Sequence, residues 1–316
     1  MSAQRAMAIR GAERDAIDAW RLRAERDSPE AVATRLDDRH LSILRVRKPR
    51  MLLTFDRLPE AAGDGWSGGL GAETAERLGW THLQILSDGE TWFRSEAVRS
   101  FIEELAQDEL FDRFDNVVFS GAFDGAHAAA AFSVAAPGAR LLLFRPVATA
   151  QPLLTGWDHR LRHLRRTDFA THYGNAPALA EAANEMVLVY DPEEPLDHMH
   201  AALMHGPNAL HLPARHLGAD VREALAAMGA LEPLMAAMMT GSLDREVFGE
   251  LFRARRDHLP YLRTLMRRLG ERDRVGLQGV LAANVARRLD APDFARIFRK
   301  IVSLPRYARL ARPRSG

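Results

Sequence analysis

The chain has 316 residues, 47% hydrophobic and 27% charged, an ordinary globular composition with length for one large domain or two smaller ones. Its 43 Lys+Arg against 42 Asp+Glu leave a net charge of +1, without the basic excess of a dedicated nucleic-acid binder. Cysteine is absent, which excludes disulfides, thiol nucleophiles, cysteine-ligated zinc and iron–sulfur clusters together.

Residues 1–27 are too charged for a signal-peptide core. No stretch approaches the roughly 18 uninterrupted apolar residues of a spanning helix, so a cytoplasmic protein without membrane contact is expected. From Ala12 to Arg26, the spacing of Ile17, Trp20 and Ala24 among charges predicts an amphipathic helix. Short apolar runs bounded by turn residues then predict strands at 41–46, 51–55, 81–86, 116–120, 139–144, 186–190 and 209–212. Helical patterns lie between them at 72–78, 97–106, 125–135, 178–184 and 196–204. Strands alternating with helices predict a mostly parallel sheet covered on both faces. The continuous runs Val117-Val118-Phe119 and Leu141-Leu142-Leu143-Phe144 suit its central strands. The interval 146–185 breaks this rhythm and carries the basic stretch from Arg160 to Arg166, so it reads as a lid-like insertion. Beyond Asp220 only helices are predicted. The expected organisation is an N-terminal helical segment (1–40), an α/β domain (41–220) and a helical C-terminal region (221–316) that could mediate homo-oligomerisation.

The most informative segment is Asn116-Val117-Val118-Phe119-Ser120-Gly121-Ala122-Phe123-Asp124-Gly125-Ala126-His127-Ala128-Ala129. An apolar strand enters a turn of small residues and leaves as an alanine-rich helix, the shape of a nucleophile elbow. Here the chain resembles the α/β-hydrolase superfamily, and most of all a bacterial branch whose elbow reads G-x-S-M-G-G-Y-A-A. Gly121, Gly125, Ala126, Ala128 and Ala129 match, His127 replaces the aromatic residue, and Phe123 stands where the serine belongs. Phenylalanine has no nucleophilic atom, so a serine-type acyl-enzyme cannot form there. The resemblance spans roughly Leu41 to Asp220. It implies an α/β-hydrolase-like sheet, with His216 at the position of the catalytic base and Asp191 or Asp197 at that of the acid.

These residues define an expected pocket of Phe55, Phe123, Asp124, Asp197 and His216 under the insertion, with Arg160 and Arg162 available to an anionic or other small ligand. The leading expectation is a degenerate, non-hydrolytic protein that binds a ligand or serves as a scaffold. The alternative is an active hydrolase with Asp124 as nucleophile, as in dehalogenase-like and epoxide-hydrolase-like members, and His216 as base. Ser120 precedes the turn and is out of place for attack. His198, His200, His205, His211 and His216 lack a metal-protease spacing, so neither a metal nor a cofactor is expected. The loop Trp66-Ser67-Gly68-Gly69-Leu70-Gly71 lacks the Lys-Ser/Thr of a phosphate loop. It resembles part of an adenylyl-sulfate reductase loop, but the missing cysteine argues against a phosphoadenosine phosphosulfate reductase.

Overall fold

The computed structural model describes residues 17–28, 30–47, 49–59 and 69–311. Residues 17–27 form helix α1; Ala12 to Ala16 and the loop from Trp66 to Gly68 lie outside the described residues. Eight strands make one sheet: β1 (Val32–Arg35), β2 (His40–Arg45), β3 (Arg50–Arg57), β4 (Thr81–Ser87), β5 (Asn116–Ala122), β6 (Arg140–Phe144), β7 (Glu185–Tyr190) and β8 (Ala209–Pro213), in the order β1-β2-β4-β3-β5-β6-β7-β8. β2 is antiparallel to both neighbours, and every pairing from β4 across to β8 is parallel. The architecture is thus the expected mostly parallel sheet flanked by helices, followed by a helical C-terminal region.

Each strand expected from the sequence is present, and β1 is an addition. It pairs on one side only and alternates exposed with half-exposed residues, so as an edge strand it needs no apolar face to announce it. It also starts the sheet at Val32, inside the segment 1–40 expected to be helical.

The period-two alternation of the central strands splits the core between two faces. On one, Met51, Leu53, Phe55, Phe119, Leu141 and Leu188 meet α3 (Glu96–Gln107), α4 (Asp124–Phe132) and α7 (Pro195–Leu203). On the other, Leu52, Val118, Leu142 and Val187 meet α2 (Gly69–Leu78), α8 (Val221–Ala227), α9 (Leu231–Thr240) and α10 (Arg245–Leu251). The insertion contains α5 (Pro152–Thr155), a 3-10 turn His159–Leu164 and α6 (Ala176–Leu179).

The C-terminal region does not behave as one unit. α8–α10 belong to the sheet's own core, and Arg222 of α8 ties them to β3 through Asp56, with Nη1 2.5 Å from Oδ1. Burial works against the Asp56 charge, but the adjacent Arg222 guanidinium outweighs it and holds the carboxyl below its ordinary range. α11 (Leu259–Glu271), α12 (Val275–Arg288) and α13 (Pro292–Val302) instead share a separate core of Leu262, Met266, Ala282, Val285 and Phe294. No helix among the described residues is long and apolar enough to cross a membrane.

Candidate functional site

The turn between β5 and α4 is built on Phe123, whose φ of 56° and ψ of −110° lie where an L-residue is strained. Its amide donates to the Phe144 carbonyl at 3.1 Å, and its own carbonyl accepts from the His127 amide at 3.1 Å, so strand and helix hold the turn from both sides. The glycines around it are sterically required. A Cβ on Gly121 would stand 2.3 Å from the Gly125 backbone, and one on Gly125 would stand 2.2 Å from the Phe55 carbonyl oxygen.

The Phe123 ring is half-buried in a cationic and aromatic setting. The Arg145 guanidinium lies 4.7 Å and that of Arg160 5.5 Å from its centre, and Trp92 packs at 5.6 Å. Val147, Ala150, Leu161, Leu164 and Phe169 of the insertion join Trp92 and Phe123 in one apolar cluster. The insertion therefore packs onto the turn rather than standing away from it.

Both guanidiniums are neutralised by buried carboxylates. Asp197 accepts from Arg145 Nε at 2.8 Å and from Arg160 Nη1 at 2.5 Å. Asp158 accepts from Arg160 Nη2 at 2.8 Å and pairs with His200 Nε2 at 3.0 Å. The His200 Nδ1 accepts the Ala148 amide at 3.3 Å, which places the ring proton on Nε2 as donor to Asp158. Burial disfavours charge on Asp158, but hydrogen bonds from Arg160 prevail and lower its pKa. Burial lowers that of His200, with Asp158 acting in the opposite sense. The result is a closed chain, His200–Asp158–Arg160–Asp197–Arg145, clamping the insertion to α7.

Asp124 opens α4 beside Phe123 and is 3% exposed. Its carboxylate takes Arg57 Nε at 3.0 and 3.2 Å. Burial raises its pKa, with Arg57 pulling the other way. Arg57 continues to Glu90 at 3.4 Å, and Glu90 accepts the Trp92 indole N–H at 2.8 Å.

The structure brings Phe123, Arg160 and Asp197 together, with Asp124 next to them on its own ion pair. Asp191 and His216 make other contacts. Asp191 accepts the amides of Glu193 at 2.9 Å and Gly218 at 2.8 Å, the work of a carboxylate organising a turn. His216 has its ring 6.2 Å from Tyr261, and its Nδ1 is buried without a hydrogen-bond partner among the described residues. Phe55 is 1% exposed, stacked on Phe132 at 5.6 Å in the core beneath the turn, and Arg162 is exposed. Ser120 is buried and donates to the Leu142 carbonyl at 2.8 Å. Among the described residues no cluster of three or more His, Asp or Glu is arranged to hold a metal ion. Arg145 and Arg57 are the participants that sequence reasoning missed; Arg57 ends β3 and Arg145 follows β6, where side chains of a parallel sheet converge.

No protein-family model and no curated protein matches the chain. Solved structures with a similar arrangement include carboxyl esterase 2 from the fungus Tuber melanosporum, at 13% identity over 69% of this chain and 88% of that one, with a TM-score of 0.46. An esterase from Pyrobaculum calidifontis matches at 13% identity over 74% of this chain and 94% of that one, with a TM-score of 0.44. The thermostable carboxylesterase EstE1 from a metagenomic library matches at 14% identity over 72% and 98%, also with a TM-score of 0.44.

Proposed function

We propose that the chain is an α/β-hydrolase-like protein whose elbow is silent, and that the groups gathered at its strand ends hold structure instead of breaking an acyl bond. The observation that carries this reading is Phe123 at the strained apex between β5 and α4. Attack on a carbonyl needs a lone pair at such an apex, beside the amides of the following helix, and a phenyl ring has none. The neighbours support the same reading. Ser120 is spent on a strand carbonyl, Asp124 on Arg57 and Asp197 on two guanidiniums. Among the described residues no hydrogen bond joins Asp124 to His216, so the aspartate-nucleophile alternative lacks its relay. Strain at the apex is kept because the insertion is anchored on the ring and its cationic collar, which makes this region a scaffold.

The test is to incubate the full chain with a fluorophosphonate and with an alkyl epoxide, then map adducts by peptide mass spectrometry. Residues 116–132 are expected to stay unmodified. An adduct on Ser120 or Asp124, lost in Asp124→Asn in the latter case, would overturn the proposal.

A further inference from the structure

Beside the elbow, the turn between β1 and β2 meets the loop after β4 around an open depression of about 550 Å³ whose lining includes Asp37, Arg39, His40, Thr91, Trp92 and Leu164. At its wall the His40 ring is 2% exposed. Its Nδ1 lies 2.8 and 2.9 Å from the Asp37 carboxylate oxygens, and its Nε2 lies 2.8 Å from Thr91 Oγ1. An ionised carboxylate only accepts, so Nδ1 carries the proton and donates to Asp37. On the neutral ring Nε2 is then a lone pair, and the Thr91 hydroxyl donates to it. The Phe93 amide donates to the same hydroxyl oxygen at 3.2 Å. Ser95 Oγ stands 3.4 Å from His40 Nδ1 and, with the Arg39 amide at 2.7 Å from Asp37 Oδ1, keeps the carboxylate in place.

We infer that Thr91, His40 and Asp37 form an acyl-transfer site of their own, beside the elbow and independent of it, that takes a short ester into this depression. Three independent features carry the inference. A hydroxyl, an imidazole and a carboxylate stand in line at hydrogen-bond distances, the arrangement by which a weak alcohol nucleophile is activated. The line ends at a depression large enough for a small substrate, with Trp92 and Leu164 for an acyl chain. The backbone beside the hydroxyl is strained at two successive residues, Trp92 with φ 58° and Phe93 with φ 56°, and such strain gathers where a side chain must be presented against local preference.

The step balances without a further reagent. Thr91 Oγ1 bonds to the acyl carbon and gives its proton to His40 Nε2, while the bond from acyl carbon to alkoxy oxygen breaks. The departing alkoxide takes that proton from His40. Water then attacks the acyl-threonine, His40 removes a water proton and returns it to Thr91, and the carboxylic acid leaves. Asp37 is a positioning residue that fixes the ring and its tautomer.

The test uses p-nitrophenyl acetate turnover by the full chain, with a fluorophosphonate mapped by mass spectrometry as a second probe. Label on Thr91 and saturable turnover are expected. Thr91→Val, which keeps the shape of the side chain, should lower the rate by about 100-fold or more. Thr91→Ser should retain both label and turnover, and Asp37→Asn should reduce kcat with KM held. Circular dichroism of each variant shows whether it is folded; if His40→Gln unfolds, the valine and serine variants decide. A folded wild-type chain that leaves Thr91 unlabelled, or a Thr91→Val variant with unchanged turnover, overturns the inference. Label in residues 116–132 instead would overturn the silent elbow, so the peptide that carries the label separates the failure of one idea from that of the other.

Discussion

Gly125 shows how a single atom governs the turn. An added Cβ would meet the Phe55 carbonyl at 2.2 Å, and that oxygen belongs to β3 and cannot swing away. Gly125→Ala should therefore cost at least the about 1–3 kcal/mol of an overpacked core, read as a lower midpoint in urea; an unchanged midpoint would mean that β3 and α4 separate freely. This much was legible, because steric need leaves glycine at fixed offsets from an apex. The partners of the apex were not, since Arg145 and Asp197 are 52 residues apart and only the fold joins them. His127 adds a pH prediction. It donates from Nδ1 to the Val147 carbonyl, and its Nε2 is buried without a hydrogen-bond partner among the described residues. Burial pushes its pKa from 6.5 down to about 4, and that of His82 down to about 3. Below pH 6.5 the unfolded chain gains protons that these folded rings refuse. Stability is then complete above that pH and falls as pH drops toward 4, by up to about 1.4 kcal/mol per pH unit for each ring. Urea denaturation between about pH 5 and 7 should show this slope, and His127→Phe should make it shallower while leaving the His82 share; the same slope in the variant would sink the assignment.

At the scale of elements, the insertion is the part whose stability is concentrated in a few contacts. α5 has four residues, with Leu153 91% and Leu154 49% exposed, so it contributes little apolar burial of its own. What fixes the segment is the cluster around Trp92 and the carboxylates Asp158 and Asp197. Asp197→Ala leaves the Arg145 and Arg160 guanidiniums facing one another with their shared counter-charge gone. Removing one partner of a buried pair costs about 3–5 kcal/mol, and the lower end applies because the two arginine side chains are 24% and 23% exposed. Limited proteolysis should then open within residues 152–175 while the sheet resists, and an unchanged digest would show that the apolar cluster suffices. The sequence announced the insertion by its length and basic residues, yet presented Arg160 and Arg162 as equivalent. Only the position of Asp197 on α7 makes one a structural partner and leaves the other in solvent.

For the whole molecule, the physical question is where the folding unit ends. Central strands were readable as unbroken apolar runs, and the C-terminal helices as apolar stripes, but a stripe does not say which surface it covers. Leu225, Leu234, Met238 and Phe248 cover Leu142 and Val187 of the sheet, whereas Leu262, Val285 and Phe294 cover one another. Truncation should expose that difference. A chain ending near Asp257 removes α11–α13, whose core is separate, and loses the Arg272–Glu193 link at 3.4 Å, the Tyr261 ring contacts with His216 and Phe252, and the Arg288 bonds to Asp257 and the Arg256 carbonyl. It should remain soluble and unfold cooperatively. A chain ending near Asp220 strips one face of a parallel sheet, which is stable only when both faces are covered. It also leaves Asp56 without Arg222, the partner that offsets the burial of its carboxylate. That shorter chain should aggregate or bind a hydrophobic dye, and if it instead folds like the longer one, α8–α10 are an appendage and the sheet closes its core without them.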